Sequence, residues 1–350
     1  MRIEDKQIKN FVASCLRGDK RRGFTLIEIV VVIGLLVIVI FFVGNIFKAS
    51  IGSYRTAMAQ AEIMQKLRAI TQQLDSDFRG LRKDAPMFIW FQKDPNDVNN
   101  RLDQIMFFAD GDFQSTRTYN GKTIVGNVAR IYYGQTQSSS GLPNKDRIFA
   151  RRPHISTADE GILPVNRWPD LALTNFDTVR NDGYEYDWVS LSQWQAIAKD
   201  PTIPLKVDQI INVCFGSRPA IDLADSNTLH LLMAEGVGSF SVQWSYNSNL
   251  PDQRILWWPS NDPDGNGDFS DSDFGPLGMN LSSFGFYFNS AAPTGWFSPD
   301  GVLPDGAKGT YYPAVKPAYP QALKFTFTIY DSRGVFKEGQ TFTHIVYLGE

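Results

Sequence analysis

The chain is poor in the residues that usually advertise chemistry. Its 350 residues hold two cysteines, Cys15 and Cys214. So few cannot build a disulfide framework, and stability must come mainly from core burial. There are three histidines, His154, His230 and His344, far apart and in no metal-ligand spacing. No Gly-x-Ser-x-Gly elbow is present. Asn120-Gly121-Lys122-Thr123 resembles the end of a phosphate loop, but Thr116 stands where the first glycine is needed, and an Asn-Gly hairpin turn explains it better. No motif brings nucleophile, base and orienting group together, so the expectation is a protein that is not an enzyme. A net charge of −3 offers no basic surface for nucleic acid. No internal repeat is visible.

What the chain does have is concentrated near its start. Arg21-Arg22-Gly23 leads into Phe24-Thr25-Leu26-Ile27-Glu28, and from Phe24 to Phe47 nearly every side chain is apolar. About 20 such residues cross a bilayer as a helix, and this run would reach ~36 Å. Glu28 lies where an ionisable group loses its hydration, which marks it as functional by default. Seven Lys or Arg within residues 1–23 outnumber Glu4, Asp5 and Asp19, so this leader is expected to stay cytoplasmic with the large C-terminal part exported. An ordinary secretory signal would show small residues after the apolar run, and Ile46-Phe47-Lys48 offers none.

Gly23, the Phe24-Thr25-Leu26-Ile27-Glu28 run, the aliphatic stretch and the basic leader together resemble the prepilin family, the precursors of type IV pilins and type II secretion pseudopilins. The resemblance implies that a membrane peptidase cuts after Gly23 and methylates the new amine of Phe24. Removal of 1–23 would take Cys15 away and leave Cys214 alone. Glu28 would then be an assembly residue, pairing with the Phe24 amine of a neighbouring subunit and so selecting an axial stagger. The partners implied are the prepilin peptidase/methylase, other pilin-like subunits, an inner-membrane assembly platform and membrane lipid.

Beyond residues 24–47, the expected transmembrane half, the helix is expected to continue as an amphipathic half over 48–83. Tyr54, Met58, Ala61, Met64, Leu67, Ile70, Leu74, Phe78 and Leu81 recur at steps of three and four, with Arg55, Glu62, Lys66, Arg68, Gln72, Asp75 and Arg79 opposite. Consecutive steps of three break the coiled-coil period, so a helix laid on a sheet is the better reading. Gly34, Gly44 and Gly52 are points where it is expected to bend or loosen, and Asp84-Ala85-Pro86 to end it.

Residues 84–350 read as a β-rich head. Strand-like runs are Met87–Phe91, Gln104–Ala109, Val128–Tyr133, Arg147–Ala150, Thr228–Met233, Ser239–Tyr246, Ile255–Trp258, Leu323–Tyr330 and Phe342–Leu348. The last two, with turn residues at Asp331-Ser332-Arg333-Gly334 and Lys337-Glu338-Gly339, form an expected C-terminal hairpin. A short helix is expected at Leu191–Lys199. Two stretches, near 153–206 and 259–322, look like large loop insertions. The fold class is therefore α+β and pilin-like, with a long N-terminal helix packed on an antiparallel β-rich domain. The order of β motifs, including Gln104-Ile105-Met106-Phe107-Phe108 and Phe240-Ser241-Val242-Gln243-Trp244, resembles the J-type minor pseudopilin of type II secretion. That implies a role at or near the tip of a periplasmic filament. The alternative is a minor pilin of a type IV pilus, with a membrane-anchored enzyme or sugar-binding module further off. Trp244, Trp257, Trp258 and Trp296 read as core packing more readily than as a stacking platform.

One loop carries a possible cofactor. From Asp262 to Asp273, oxygen side chains fall at the loop positions expected of a calcium site: Asp262, Asp264, Asn266, Ser270 and Asp273. Gly267 takes the sharp turn and Asp268 would offer its backbone carbonyl. Three mutually repelling carboxylates would converge on the cation. No helical pattern flanks the loop, so a solvated acidic turn is the competing reading.

Overall fold

The structure is a computed structural model. It describes residues 23–94, 97–139, 142–157, 185–187, 190–192, 194–195, 218–245, 257, 285–288, 295–297 and 319–348. Two compact units divide the chain, Met1–Ala57 and Met58–Glu350.

The first unit is helical from Leu26 onward. Helix α1 spans Leu26–Arg79, and its residues up to Ala57 are exposed apart from their own helical contacts. Gly34, Gly44 and Gly52 lie within it without interrupting it. A Cβ at each would meet open space, so nothing there forces a bend. One helical glycine costs only about 1 kcal/mol relative to alanine, which a long continuous helix tolerates.

In the second unit, residues from Met58 to Arg79 of α1 lie on β structure. The strands are β1 (Met87–Trp90), β2 (Lys93–Asp94), β3 (Asp97–Arg101), β4 (Gln104–Tyr119), β5 (Lys122–Gln135), β6 (Ile148–Ser156), β7 (Tyr186–Asp187), β8 (Leu232–Glu235), β9 (Val237–Ser245), β10 (Gly285–Phe288), β11 (Gly295–Phe297), β12 (Ala322–Ile329) and β13 (Gln340–Tyr347). A short helix α2, Ser226–Leu229, precedes β8. An eight-stranded sheet runs β11-β10-β1-β4-β5-β6-β7, with β8 also on β6, and a three-stranded sheet runs β13-β12-β9. Pairing is antiparallel except between β6 and β7. The α+β expectation therefore holds.

One core joins the helix to both sheets. Ile63, Ile70, Leu74 and Phe78 of α1 pack with Ile105 and Phe107 of β4, Ile131 and Tyr133 of β5, and Phe240, Phe325 and Phe327 of the smaller sheet. Phe78 stacks on Phe107 at 4.1 Å between ring centres. Residues on β12 alternate as the pleat requires: Leu323, Phe325, Phe327 and Ile329 are fully buried, while Lys324, Thr326 and Thr328 are only partly so. Trp244 is core, as expected.

The buried helix face is rotated from the expected stripe at its N-terminal end. Ala59 and Ile63 are buried, whereas Tyr54, Met58, Ala61 and Met64 are exposed. Small Ala59 faces the protein and the bulkier apolar residues do not. The helix also stops at Arg79, four residues short of expectation. Gly80 is the reason: a Cβ there would lie 2.0 Å from the Asp110 carbonyl oxygen. The chain instead pairs with β4, Asp110 N–H donating to Gly80 O (2.7 Å) and Arg82 N–H to Phe108 O (2.8 Å).

Other boundaries shift for similar local reasons. β4 and β5 extend well past their apolar halves because Asn120 and Gly121, with φ of 50° and 76°, close the expected tight hairpin turn between Tyr119 and Lys122. Thr228–Met233 is not one strand. Asp225 caps α2 by accepting from Asn227 N–H (2.9 Å), and the strand begins only at Leu232. β6 runs on to Ser156, into the first expected insertion, and that stretch also supplies β7. β10 and β11 belong to the second, adding an edge to β1. Residues 191–192 and 194–195 are helical, as expected. The run Ile255–Trp258 lies outside the described residues except for Trp257. The C-terminal hairpin is present in full, from Ala322 paired with Tyr347 to Ile329 with Gln340.

Candidate assembly and processing site

Gly23 and Phe24 precede α1, both exposed, Phe24 at 80 %. Thr25 is the N-cap. Its hydroxyl accepts from Glu28 N–H (3.3 Å), while the Glu28 carboxylate Oε2 accepts from both Thr25 N–H and Thr25 Oγ1–H at 2.9 Å. This is a reciprocal capping box, threonine at the cap and glutamate three residues on. It satisfies backbone donors that a helix start leaves open, and it places an anion at the positive end of the helix dipole. Sequence reading had treated Glu28 as a charge alone, although the Thr25-x-x-Glu28 spacing was there to be read.

The helix is long and apolar enough to cross a membrane, and none of its most apolar window is buried inside the protein. The same carboxylate thus sits at the start of a membrane-length segment, held by its own backbone. Gly23 and Phe24 are thus both exposed, with the Glu28 carboxylate fixed one helical turn on.

The other groups singled out in the sequence do not gather here. His344 Nε2 meets Asp75 Oδ1 at 2.8 Å, and His230 Nε2 meets Glu185 Oε1 at 2.8 Å. His154 is fully buried in β6. Burial works to raise the Glu185 pKa, but hydrogen bonds from His230, the Arg117 backbone and Thr116, with the His230 charge, bring it down to about 2. Among the described residues no group of three or more His, Cys, Asp or Glu could hold a metal ion. Asp262, Asp264, Asn266, Asp268, Ser270 and Asp273 lie outside the described residues.

Sequence reasoning missed a set of buried ion pairs. Asp94 pairs with Arg147 (2.6 Å), Asp187 with Arg130 (2.6 Å) and Asp103 with Arg101. Asp77, on the buried face of α1, accepts from Arg151 and from the Tyr133 hydroxyl. Burial, then the Asp77 charge, pushes the Tyr133 phenol well above its ordinary value. The Asp94, Asp187 and Asp77 pairs span distant segments, and no local periodicity signals them.

Neither the curated proteins nor the solved structures compared with this chain gave a match. Residues 18–44, which take in Gly23, Phe24 and Glu28, match the family model of the prokaryotic N-terminal methylation motif, and this supports a prepilin-type protein with a single N-terminal membrane anchor.

Proposed function

We propose that the chain is a structural minor pseudopilin, J-type in character, assembling at or near the tip of a periplasmic type II secretion filament and promoting protein export. The observation that carries this is the junction at Gly23–Glu28: a methylation motif at the head of a membrane-length helix. The motif implies processing by a prepilin peptidase and assembly with other pilin-like subunits. Cleavage after Gly23 would free the Phe24 amine, and Glu28 would exchange its intrachain cap for the amine of a neighbour. Two opposite charges in a low-dielectric membrane attract strongly and each alone is penalised. That exchange makes the pair a register device. The role is one of binding and assembly, without turnover. The head faces the periplasm, and the assembly platform of the inner membrane is its other partner.

The run of strands from β4 through β9 to β12 supports the J-type reading, since the motifs that resemble that group lie on them. The acidic loop at 262–273 is carried in the same proposal as a calcium site within the second insertion. Crosslinking in intact cells, with mass spectrometry of captured partners, is the test. Secretion components support the proposal. Pilus components would replace it with a type IV minor pilin, and neither set would remove both.

A further inference from the structure

The smaller sheet ends in an open edge. β13 pairs with β12 from Gln340 to Tyr347 without a register shift, and the order β13-β12-β9 leaves its other side at the rim. One bond just past the strand sets the phase of the ladder: Leu348 N–H donates to Gln321 O at 2.8 Å. Bonded and unbonded residue pairs alternate in an antiparallel ladder. Gln340, Phe342, His344 and Val346 therefore turn their backbone groups toward β12. Those of Thr341, Thr343, Ile345 and Tyr347 point away, and among the described residues no backbone group meets them. The same four residues are exposed, Tyr347 at 73 %.

An open edge invites pairing with another chain, and proteins blunt it with charge, short strands, bulges or a cover. The other edges among the described residues are blunted in these ways. β7, β11 and β8 have two, three and four residues, and β2 and β3 carry charged residues. The β4–β5 hairpin beyond Asp110 carries Asp112, Arg117 and Lys122 and two register shifts. Asp103 closes β9, its N–H donating to Phe240 O at 2.9 Å and its carboxylate accepting from Val242 N–H at 2.8 Å. β13 has none of these devices. It is eight residues long, without acid, lysine, arginine, proline or glycine. Gln340 on Gln60 and His344 on Asp75, both at 2.8 Å, fasten it to α1. The edge is thus held in place before any partner arrives, so little ordering remains to be done on binding.

We propose that β13 is a docking edge: it takes up an extended, uncharged strand from a different pilin-like subunit and continues the sheet across the boundary between the two. The edge sets the chemistry of the occupant. Its outward N–H and C=O groups call for an extended backbone, and its exposed Thr, Ile and Tyr side chains suit β-branched or aromatic neighbours. A charge placed opposite them would meet no counter-charge. Antiparallel pairing with a second copy would join Thr341 to Tyr347 and Thr343 to Ile345, but the two-fold rotation it needs reverses α1. Two such helices could not enter one membrane from the same side. Parallel self-pairing would set the exposed Thr343 beside residues that α1 covers in the copy. The proposal rests on the assembly reading above, which supplies pilin-like neighbours of like orientation.

The test puts a photoreactive side chain in place of Tyr347 in the full chain in intact cells, with the captured peptide mapped by mass spectrometry. An uncharged, strand-length segment of another pilin-like subunit is expected. Thr343→Pro removes one outward N–H and leaves the bonds to β12 in place. It is expected to cut capture about tenfold, the worth of one hydrogen bond. Should that variant fail to fold, Ile345→Lys, which sets a charge on the edge, is expected to do the same. Val125→Lys, exposed on β5, is expected to leave capture unchanged. Capture of a second copy, or of a protein outside the pilin-like class, overturns the proposal. So does undiminished capture in the edge variants. A second probe at Val31 in the apolar run separates the two readings. Pilin-like partners captured there and not at Tyr347 overturn the docking edge alone, whereas none at either position overturns the assembly reading with it.

Discussion

Arg151 of β6 grips Asp77 of α1 with two prongs, Nε to Oδ2 at 2.7 Å and a terminal nitrogen to Oδ1 at 2.8 Å. Asp77 is 5 % exposed and also receives the Tyr133 hydroxyl and the Gln73 amide. A polar hub in the middle of an apolar interface fixes how the helix sits along the sheet. Truncating Asp77 to alanine leaves Arg151 and Tyr133 without their acceptor, at a cost of about 3–5 kcal/mol. The thermal midpoint of the full chain in detergent checks this. A midpoint like that of the wild type would mean that the hub is dispensable.

Cleavage is expected between Gly23 and Phe24, with a methylated amine on Phe24. Intact mass and N-terminal peptide analysis of the membrane fraction read it directly. A retained leader, or a mature chain starting beyond the apolar run, would remove the basis of the proposed assembly.

Substituting Glu28 separates two roles of its carboxylate. Glu28→Gln keeps an acceptor for Thr25 and loses the charge, whereas Glu28→Ala loses both. Membrane insertion is expected to survive either change, since both remove a charge that is costly in the bilayer. Incorporation into filaments, measured by crosslinking to partner subunits, is expected to fall in both. Normal incorporation of Glu28→Gln would assign the residue to capping alone.

Acid is expected to weaken the contact at Glu185. Its pKa is about 2 in the folded chain, against 4.5 ordinarily. The stabilisation is complete above pH 4.5 and fades as the pH falls toward 2. Thermal midpoints at pH 5 and pH 3 are expected to separate more in the wild type than in Glu185→Gln. An equal drop in both would show that the pair with His230 contributes nothing.

Calcium is expected to bind at Asp262–Asp273 and to raise the thermal midpoint, by an amount growing with the logarithm of calcium over its dissociation constant. Midpoints in millimolar calcium and in chelator are to be compared for the wild type and the Asp262→Ala/Asp264→Ala pair. Equal wild-type values, with no calcium found in the purified chain, would leave a solvated acidic turn.

Local signals were legible where one physical cause dominated. The apolar run from Phe24, the Asn120-Gly121 turn and the period-two strands of the last hairpin each depend on neighbours in sequence, and each is present. Apolar recurrence at steps of three and four places Met58, Ala61 and Met64 in the helix stripe and leaves Ala59 out. Tertiary packing chose the small residue. Arg130 with Asp187 and Arg147 with Asp94 lie 57 and 53 positions apart, and nothing local distinguishes such residues from surface charges. At the candidate site the motif was plain. The reciprocal bonds between Thr25 and Glu28 follow from the Thr-x-x-Glu spacing, a signal that the cost of the charge masks.

The hairpin of β12 and β13 is stitched to α1 at four places. Glu62 accepts from Ser332, Lys66 donates to Tyr330 O, Asp75 meets His344, and Gln60 accepts from Gln340, across sequence separations of 264 to 280 residues. A ribosome makes one side of each stitch long before the other. Until the second side emerges, the apolar stripe of the helix lacks the cover of the smaller sheet and has only β4 and β5 to pack on, and closing so large a loop is slow. Maturation of the head is therefore a late, all-at-once event in the life of the nascent chain. In the interval, the part of the stripe that Phe325 and Phe327 later cover is apolar surface open to a protease or a chaperone.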